Sequence, residues 1–255
     1  MSSVDLIRHG AVAELRLNNP AKLSALTVEM LEALEAHLTA LEATPGVRVI
    51  LLTSEGDRAF CVGADINEWA DLPPMEFARI WVRRGHRIFD RLSALPIPSI
   101  AVLDGHAFGG GLELAAACDL RLMTPNAALA LPETSVGIVP GWSGSQRLMQ
   151  LLPPAVLKEM ALTGRRLSAE RALALGYVNA VAEDSRAEAE AMAAEIIAKS
   201  PQATEIAKYM LSAAQSHDTA AVIEALGSAV MAASPDKAEG VASFREKRPA
   251  KFTNG

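Results

Sequence analysis

Two acids stand where a charge is costly to hold. Glu113 interrupts the apolar stretch LELAAAC, and Glu133 follows Pro132 inside AALALPETSVGIVPG. A carboxylate buried without a partner or a purpose is strongly disfavoured. Taken singly, each reads as a capping or ion-paired residue. Converging on one pocket, the two can divide proton transfer between them, one ionised and one protonated.

Two glycine-bearing stretches accompany them. In FCVGADINEW, Gly63, Ala64 and Asp65 put small residues where a strand gives way to a helix. Unpaired amides there can hold an anionic oxygen. The plain alternative is a loop kept small for packing. In DGHAFGGGLEL, Gly109, Gly110 and Gly111 allow the backbone to come close to a ligand, or merely make a tight crossover. No G-x-G-x-x-G runs through them, and no Lys-Ser/Thr follows, so neither a dinucleotide loop nor a Walker loop is present.

Other chemistries find less support. GWSGS approaches the nucleophile elbow G-x-S-x-G, but Ser145 replaces the second glycine. His9, His37, His86, His106 and His217 are scattered, and no metal-ligand spacing emerges. His106, beside the glycine run, reads as structural.

These groups need elements to hold them. AVAELRLN suggests a half-exposed strand, and TVEMLEALEAHLTALEATPG a helix with Leu31, Leu34, Leu38 and Leu41 on one face and Thr27 as N-cap. VRVILLTS and PSIAVLDG are continuous apolar runs of the kind parallel strands show when buried on both faces. DLRLMT and AALALPE read as short strands. The alternation predicts an α/β fold with parallel connections. From about residue 153 the character is helical. Ser185 with Glu188 forms a capping-box pattern, and Ser200-Pro201 and Ser234-Pro235 are cap-plus-Pro starts.

The 255 residues are 50% hydrophobic, 21% charged and 4% aromatic, which suits one large domain with an aliphatic core, or a domain with a helical appendage. A net charge of −6, with no basic block before the tail EKRPAK, argues against nucleic-acid partners. Cys61 and Cys118 lie apart in apolar stretches, and no secretory leader is evident, so a cytoplasmic, reduced protein is expected. The apolar stretch 97–118 contains Asp104, His106 and Glu113, which argues against a membrane span.

FCVGADINEW, DGHAFGGGLELAAACDLRL and LPETSVGIVPGWSGSQRL, in this order, closely resemble the crotonase (enoyl-CoA hydratase/isomerase) superfamily. The likeness runs from LNNPAKLSAL through TGRRLSAERALALGYVNAV to FREKRPAKF, nearly the whole chain. It implies an α/β spiral of ββα units over residues 1–195. It further implies a helical trimerisation region over 196–255, and a trimer or a dimer of trimers. It places a thioester carbonyl between the N–H groups of Ala64 and Gly110, where such a donor contributes about 3–4 kcal/mol to an enolate-like transition state. Gly110 is expected because a Cβ would crowd the thioester. Coenzyme A contacts carry over to Lys22, Ala25, Ala64, Asp65, Ile66 and Gly109, with the Arg58 loop nearby. Lys251 and Phe252 would reach a neighbouring subunit's ligand. Coenzyme A enters as part of the substrate, so no separate cofactor and no metal is expected.

Hydratases of this family use two glutamates, and isomerases keep one or place acids elsewhere. With Glu113 and Glu133 both present, the resemblance implies an enoyl-CoA hydratase. Glu113 would take a proton from water, while Glu133 holds that water and protonates C2. The alternatives are Δ3,Δ2-enoyl isomerisation, a specialised acyl-CoA hydratase or dehydratase, and a non-catalytic acyl-CoA binder. Ser24 and Asp104 replace a common Asn each, and Trp142 and Ser143 stand where small residues are usual. Trp142 would either narrow the acyl pocket or cover its rim.

Overall fold

The computed structural model describes residues 2–214, 224, 227, 228 and 230–252. Its larger sheet has six strands in the order β1-β2-β3-β5-β7-β10. These are β1 (Ser3–His9), β2 (Val12–Asn18), β3 (Val49–Ser54), β5 (Ser99–Leu103), β7 (Leu120–Met123) and β10 (Ala180–Val181). The β1–β2 pair is antiparallel and every other pair is parallel. The sequence reading found β2 and not β1, because Val4 is the single buried residue in β1 and the edge strand carries no clear alternation.

β3 and β5 are buried along their whole length. Ile50, Leu52, Ala101 and Leu103 enter the main core. Val49, Leu51, Ile100 and Val102 face the other way, against Ala189 and Ala193 of α8 (Ser185–Ile197). Both faces are covered, which is why these runs are continuously apolar.

A smaller sheet follows the order β4-β6-β8-β9, from β4 (Ala59–Cys61), β6 (His106–Phe108), β8 (Ala128–Ala130) and β9 (Leu167–Ser168). The chain lays β3 in the large sheet and β4 in the small one, then β5 and β6, then β7 and β8. A single turn, α2 (Pro74–Glu76), and then α3 (Arg83–Ala94) follow the first of these pairs, and α4 (Gly110–Ala116) follows the second. This is the ββα spiral. α1 (Val28–Glu42) buries Leu31, Leu34, Leu38 and Leu41, and Thr27 caps it by accepting the Met30 N–H.

The last third is helical, with α5 (Gly144–Leu151), α6 (Pro154–Thr163), α7 (Ala169–Ala174), α8, α9 (Pro201–Ala213) and α10 (Pro235–Glu246). Ser200 and Ser234 cap α9 and α10 ahead of a proline, as expected. The capping box at Ser185 is corrected. Asp184 caps α8 by accepting the Ala187 N–H, while the Ser185 hydroxyl donates to the half-buried Asp104 carboxylate. That acid, drawn out of water, claims the hydroxyl that the sequence pattern assigned to the helix end. Among the described residues no helix is long and apolar enough to cross a membrane.

Gly111 sets how closely α4 lies on β4, since a Cβ there would stand 2.1 Å from the Cys61 carbonyl oxygen. Helix propensity alone would favour Ala over Gly by about 1 kcal/mol. Gly111→Ala is expected instead to destabilise by about 1–3 kcal/mol, read from urea denaturation, through overpacking against backbone.

Candidate active site

The end of β4 and the start of α4 meet at two glycines. A Cβ on Gly63 (φ 104°) would lie 3.3 Å from the Gly110 nitrogen, and one on Gly110 would lie 3.6 Å from the Ala64 nitrogen. Among the described residues, neither the Ala64 nor the Gly110 N–H donates to a protein acceptor. Two open donors thus sit side by side on one cavity. The setting of Ala64 differs from the expected helix start. It bridges Leu26 in extended pairing, and Asp65 caps a single 3-10 turn, Ile66–Glu68, through the Asn67 N–H.

The cavity, of about 280 Å³, also takes in Glu113 and Glu133. All three tryptophans of the chain, Trp69, Trp81 and Trp142, line it together with Phe77. Phe77 and Trp81 come from a π-helical stretch, Phe77–Val82, that leads into α3. Trp142 is a wall rather than a rim cover. Only 3% exposed, it is wedged where a Cβ on Gly85 would meet its Nε1 at 2.3 Å and a Cβ on Gly110 would meet its ring at 2.8 Å. Trp81 and Phe89 hold it from the sides, at centroid distances of 5.3 and 5.4 Å. The first thing a side chain at 110 would strike is therefore Trp142, ahead of any ligand.

The two acids live in different surroundings. Glu113, 2% exposed on α4, accepts the N–H groups of Trp142 and Gly144 on one oxygen, Oε1, each at 2.8 Å. Burial raises its pKa, while these amides and the Arg147 charge work against the rise. Glu133 begins a 3-10 turn, Glu133–Val136, and its Oε2 is buried with no hydrogen-bond partner. Burial pushes its pKa up to about 7, its own backbone N–H offsets part of that, and the Glu113 charge adds to it. One carboxylate is cradled, and the other is left ready to carry a proton at neutral pH.

Of the remaining sequence-derived contacts, Ile66 and Gly109 line the cavity. Lys22 pairs with the buried Asp65, whose carboxyl is held below its usual range first by the lysine. Ala25 is buried, with its carbonyl accepting from Asn19. In this chain Lys251 and Phe252 lie away from the cavity, against Glu239 and Gly240 of α10. His106 is structural, its Nδ1 accepting from the Ala128 N–H and its ring stacked on Phe108. His217 lies outside the described residues. Among the described residues no group of three His, Cys, Asp or Glu is placed to hold a metal ion. Both cysteines are free and buried, with thiols pushed up to about 12.

Sequence reasoning missed Trp69, Phe77 and Trp81, which only the fold gathers. The scarcity of tryptophan elsewhere in the chain was the available signal.

The spiral is that of the crotonase superfamily. The family model for enoyl-CoA hydratase/isomerase matches residues 8–255. The human mitochondrial enoyl-CoA hydratase domain-containing protein 2 is 38% identical over 249 residues, covering 94% of this chain and 85% of its own. A crotonyl-CoA hydratase from Syntrophomonas wolfei is 34% identical over 254 residues, covering 98% and 97%. The crystal structure of an enoyl-CoA hydratase from Bacillus anthracis superposes with a TM-score of 0.94 at 32% identity, covering 99% of each chain. The chain belongs to the enoyl-CoA hydratase/isomerase family.

The raised Glu133 carboxyl links stability to pH. An acid that holds its proton more tightly when folded contributes most below its unfolded pKa of 4.5, and that contribution is lost as pH rises through about 7. Its span is on the order of 3 kcal/mol. Denaturation midpoints of Glu133→Gln should therefore decline less than wild type across this interval, and parallel profiles would contradict the shifted carboxyl.

Proposed function

We propose that the chain is an enoyl-CoA hydratase, adding water reversibly across the 2,3 double bond of a 2-enoyl-CoA. The observation that carries the reading is one cavity wall bearing two open amides, an amide-held carboxylate and an unpartnered, raised carboxyl. The Ala64 and Gly110 N–H groups hold the thioester oxygen. Glu113 and Glu133 hold a water against C3, and Glu113 removes its proton as the water oxygen attacks. The electron pair of the double bond moves onto the thioester oxygen, where the two amides stabilise it. Protonated Glu133 then delivers its proton to C2, and transfer of the proton on Glu113 to Glu133 restores the starting state. Coenzyme A is carried by the substrate. Lys22, Asp65 and Ile66 border its path into the site.

The same reading assembles the chain as a trimer, or a dimer of trimers, through residues 196–255. Leu211 and Phe244 support it, being 73% and 85% exposed on that region's helices. In such an assembly Lys251 and Phe252 serve a neighbour's ligand. The two free, buried thiols accord with a reducing, cytoplasmic setting.

Crotonyl-CoA is the direct test, because hydration removes the absorbance of the conjugated thioester whereas double-bond migration does not. Turnover is expected, and Glu113→Gln and Glu133→Gln should each lower it by about a hundredfold or more without weakening acyl-CoA binding. Wild-type rates in either variant would remove that residue from the mechanism. Gly110→Ala should also slow turnover, since its Cβ displaces Trp142.

Trp142 bounds the acyl group. Trp142→Ala should raise the ratio of kcat/KM for octenoyl-CoA over crotonyl-CoA by about tenfold, a change of about 1.4 kcal/mol in relative transition-state binding. An unchanged ratio would place the acyl chain elsewhere.

A further inference from the structure

The GWSGS stretch, unexplained as a nucleophile, lies behind Glu113. Ser143 precedes α5 and has φ 71° and ψ 13°, a left-handed conformation that a residue with a Cβ adopts only under constraint. A serine before a helix usually sits in extended backbone and caps the first turn. This one makes no such bond. Its hydroxyl turns to α3 instead, donating to His86 Nδ1 at 2.8 Å, with Asp90 Oδ1 at 3.2 Å as a second acceptor. His86 Nε2 lies 3.0 Å from Asp90 Oδ2, so the ring donates there and keeps Nδ1 as an acceptor. Arg147 of α5 pairs with Asp90 and completes a tie between the two helices.

The residues on either side of Ser143 are Trp142 and Gly144, whose N–H groups both point at Glu113 Oε1. A left-handed residue between two others lets successive amides converge on one anion. Relaxing residue 143 to an ordinary conformation would swing one donor away. Position 144 admits only glycine, since a Cβ there would stand 2.5 Å from that same oxygen.

We propose that Ser143, His86 and Asp90 are positioning residues for Glu113. Their hydrogen bonds hold position 143 left-handed and so aim the two amides that orient the carboxylate. They touch no reacting atom. The activity arm of the test rests on the hydratase reading, and the structural arm does not.

Glycine adopts this conformation without strain and so needs no tie to hold it. Ser143→Ala keeps the Cβ and loses the tie, and should lower kcat on crotonyl-CoA by about tenfold at nearly constant KM. Ser143→Gly should lose less than Ser143→Ala, as a left-handed residue ahead of a helix requires. His86→Ala should match Ser143→Ala in the wild-type background, yet change kcat by less than about twofold when added to Ser143→Gly. Crystal structures of Ser143→Ala and His86→Ala should show residue 143 out of the left-handed region and an amide lost from Glu113. Should His86→Ala fail to fold, Asp90→Asn releases the same tie. Equal His86→Ala losses in both backgrounds, Ser143→Gly at or below Ser143→Ala, or an unmoved residue 143 would overturn the proposal. A wild-type protein idle on crotonyl-CoA would sink the hydratase reading alone, and the angle at residue 143 would still decide this one.

Discussion

A carboxylate kept almost wholly out of water has to be held by something, and Glu113 is held by backbone. Two amides at the start of α5 take the place of solvent on one oxygen. The rest of the site is arranged around that substitution. The segment must be bent sharply to present both donors, α3 and α5 must be tied together behind it, and Trp142 must pack close against Gly110 at the start of α4. A side-chain donor would be longer and more mobile. Peptide amides are fixed by the fold, and that rigidity suits a group whose proton affinity matters.

The contrast with Glu133 gives the pair its chemical asymmetry. Both acids are buried, and burial raises both. Only Glu113 receives converging amides, and its charge in turn bears on Glu133. Two chemically identical side chains, both raised by burial, thus have different partners to work against that rise. Facing them, the open amides of Ala64 and Gly110 supply positive potential where charge would gather. None of this requires an unusual residue, only an unusual closeness of backbone.

That closeness explains the glycines. At positions 63, 85, 110, 111 and 144 an added Cβ would meet backbone, an indole or the Glu113 carboxylate at 3.3 Å or less. The aliphatic core behind them is conventional, filled by Leu, Ile, Val and Ala from both sheets and α1. The three tryptophans are gathered on the cavity, where rigid rings make a wall that flexible aliphatic chains would make less firmly, while Phe60, Phe89 and Tyr177 are buried in the core.

Much of this was legible in the linear chain. The continuous apolar runs of β3 and β5, the leucine stripe of α1, the proline-led helices and the two costly acids all follow from local chemistry, because burial and helical period act over a few residues. The pairing of the Ala64 and Gly110 amides came from a family likeness, and the fold sets the two side by side on one cavity. Other features depend on encounters between segments far apart. β1 has too little buried surface to show itself. Asp104 takes the hydroxyl of Ser185 only because the spiral brings them together. His86, scattered among unremarkable histidines, meets Ser143 across 57 residues. Pattern reveals what each segment must bury, whereas proximity decides which groups share a proton, and proximity belongs to the tertiary structure.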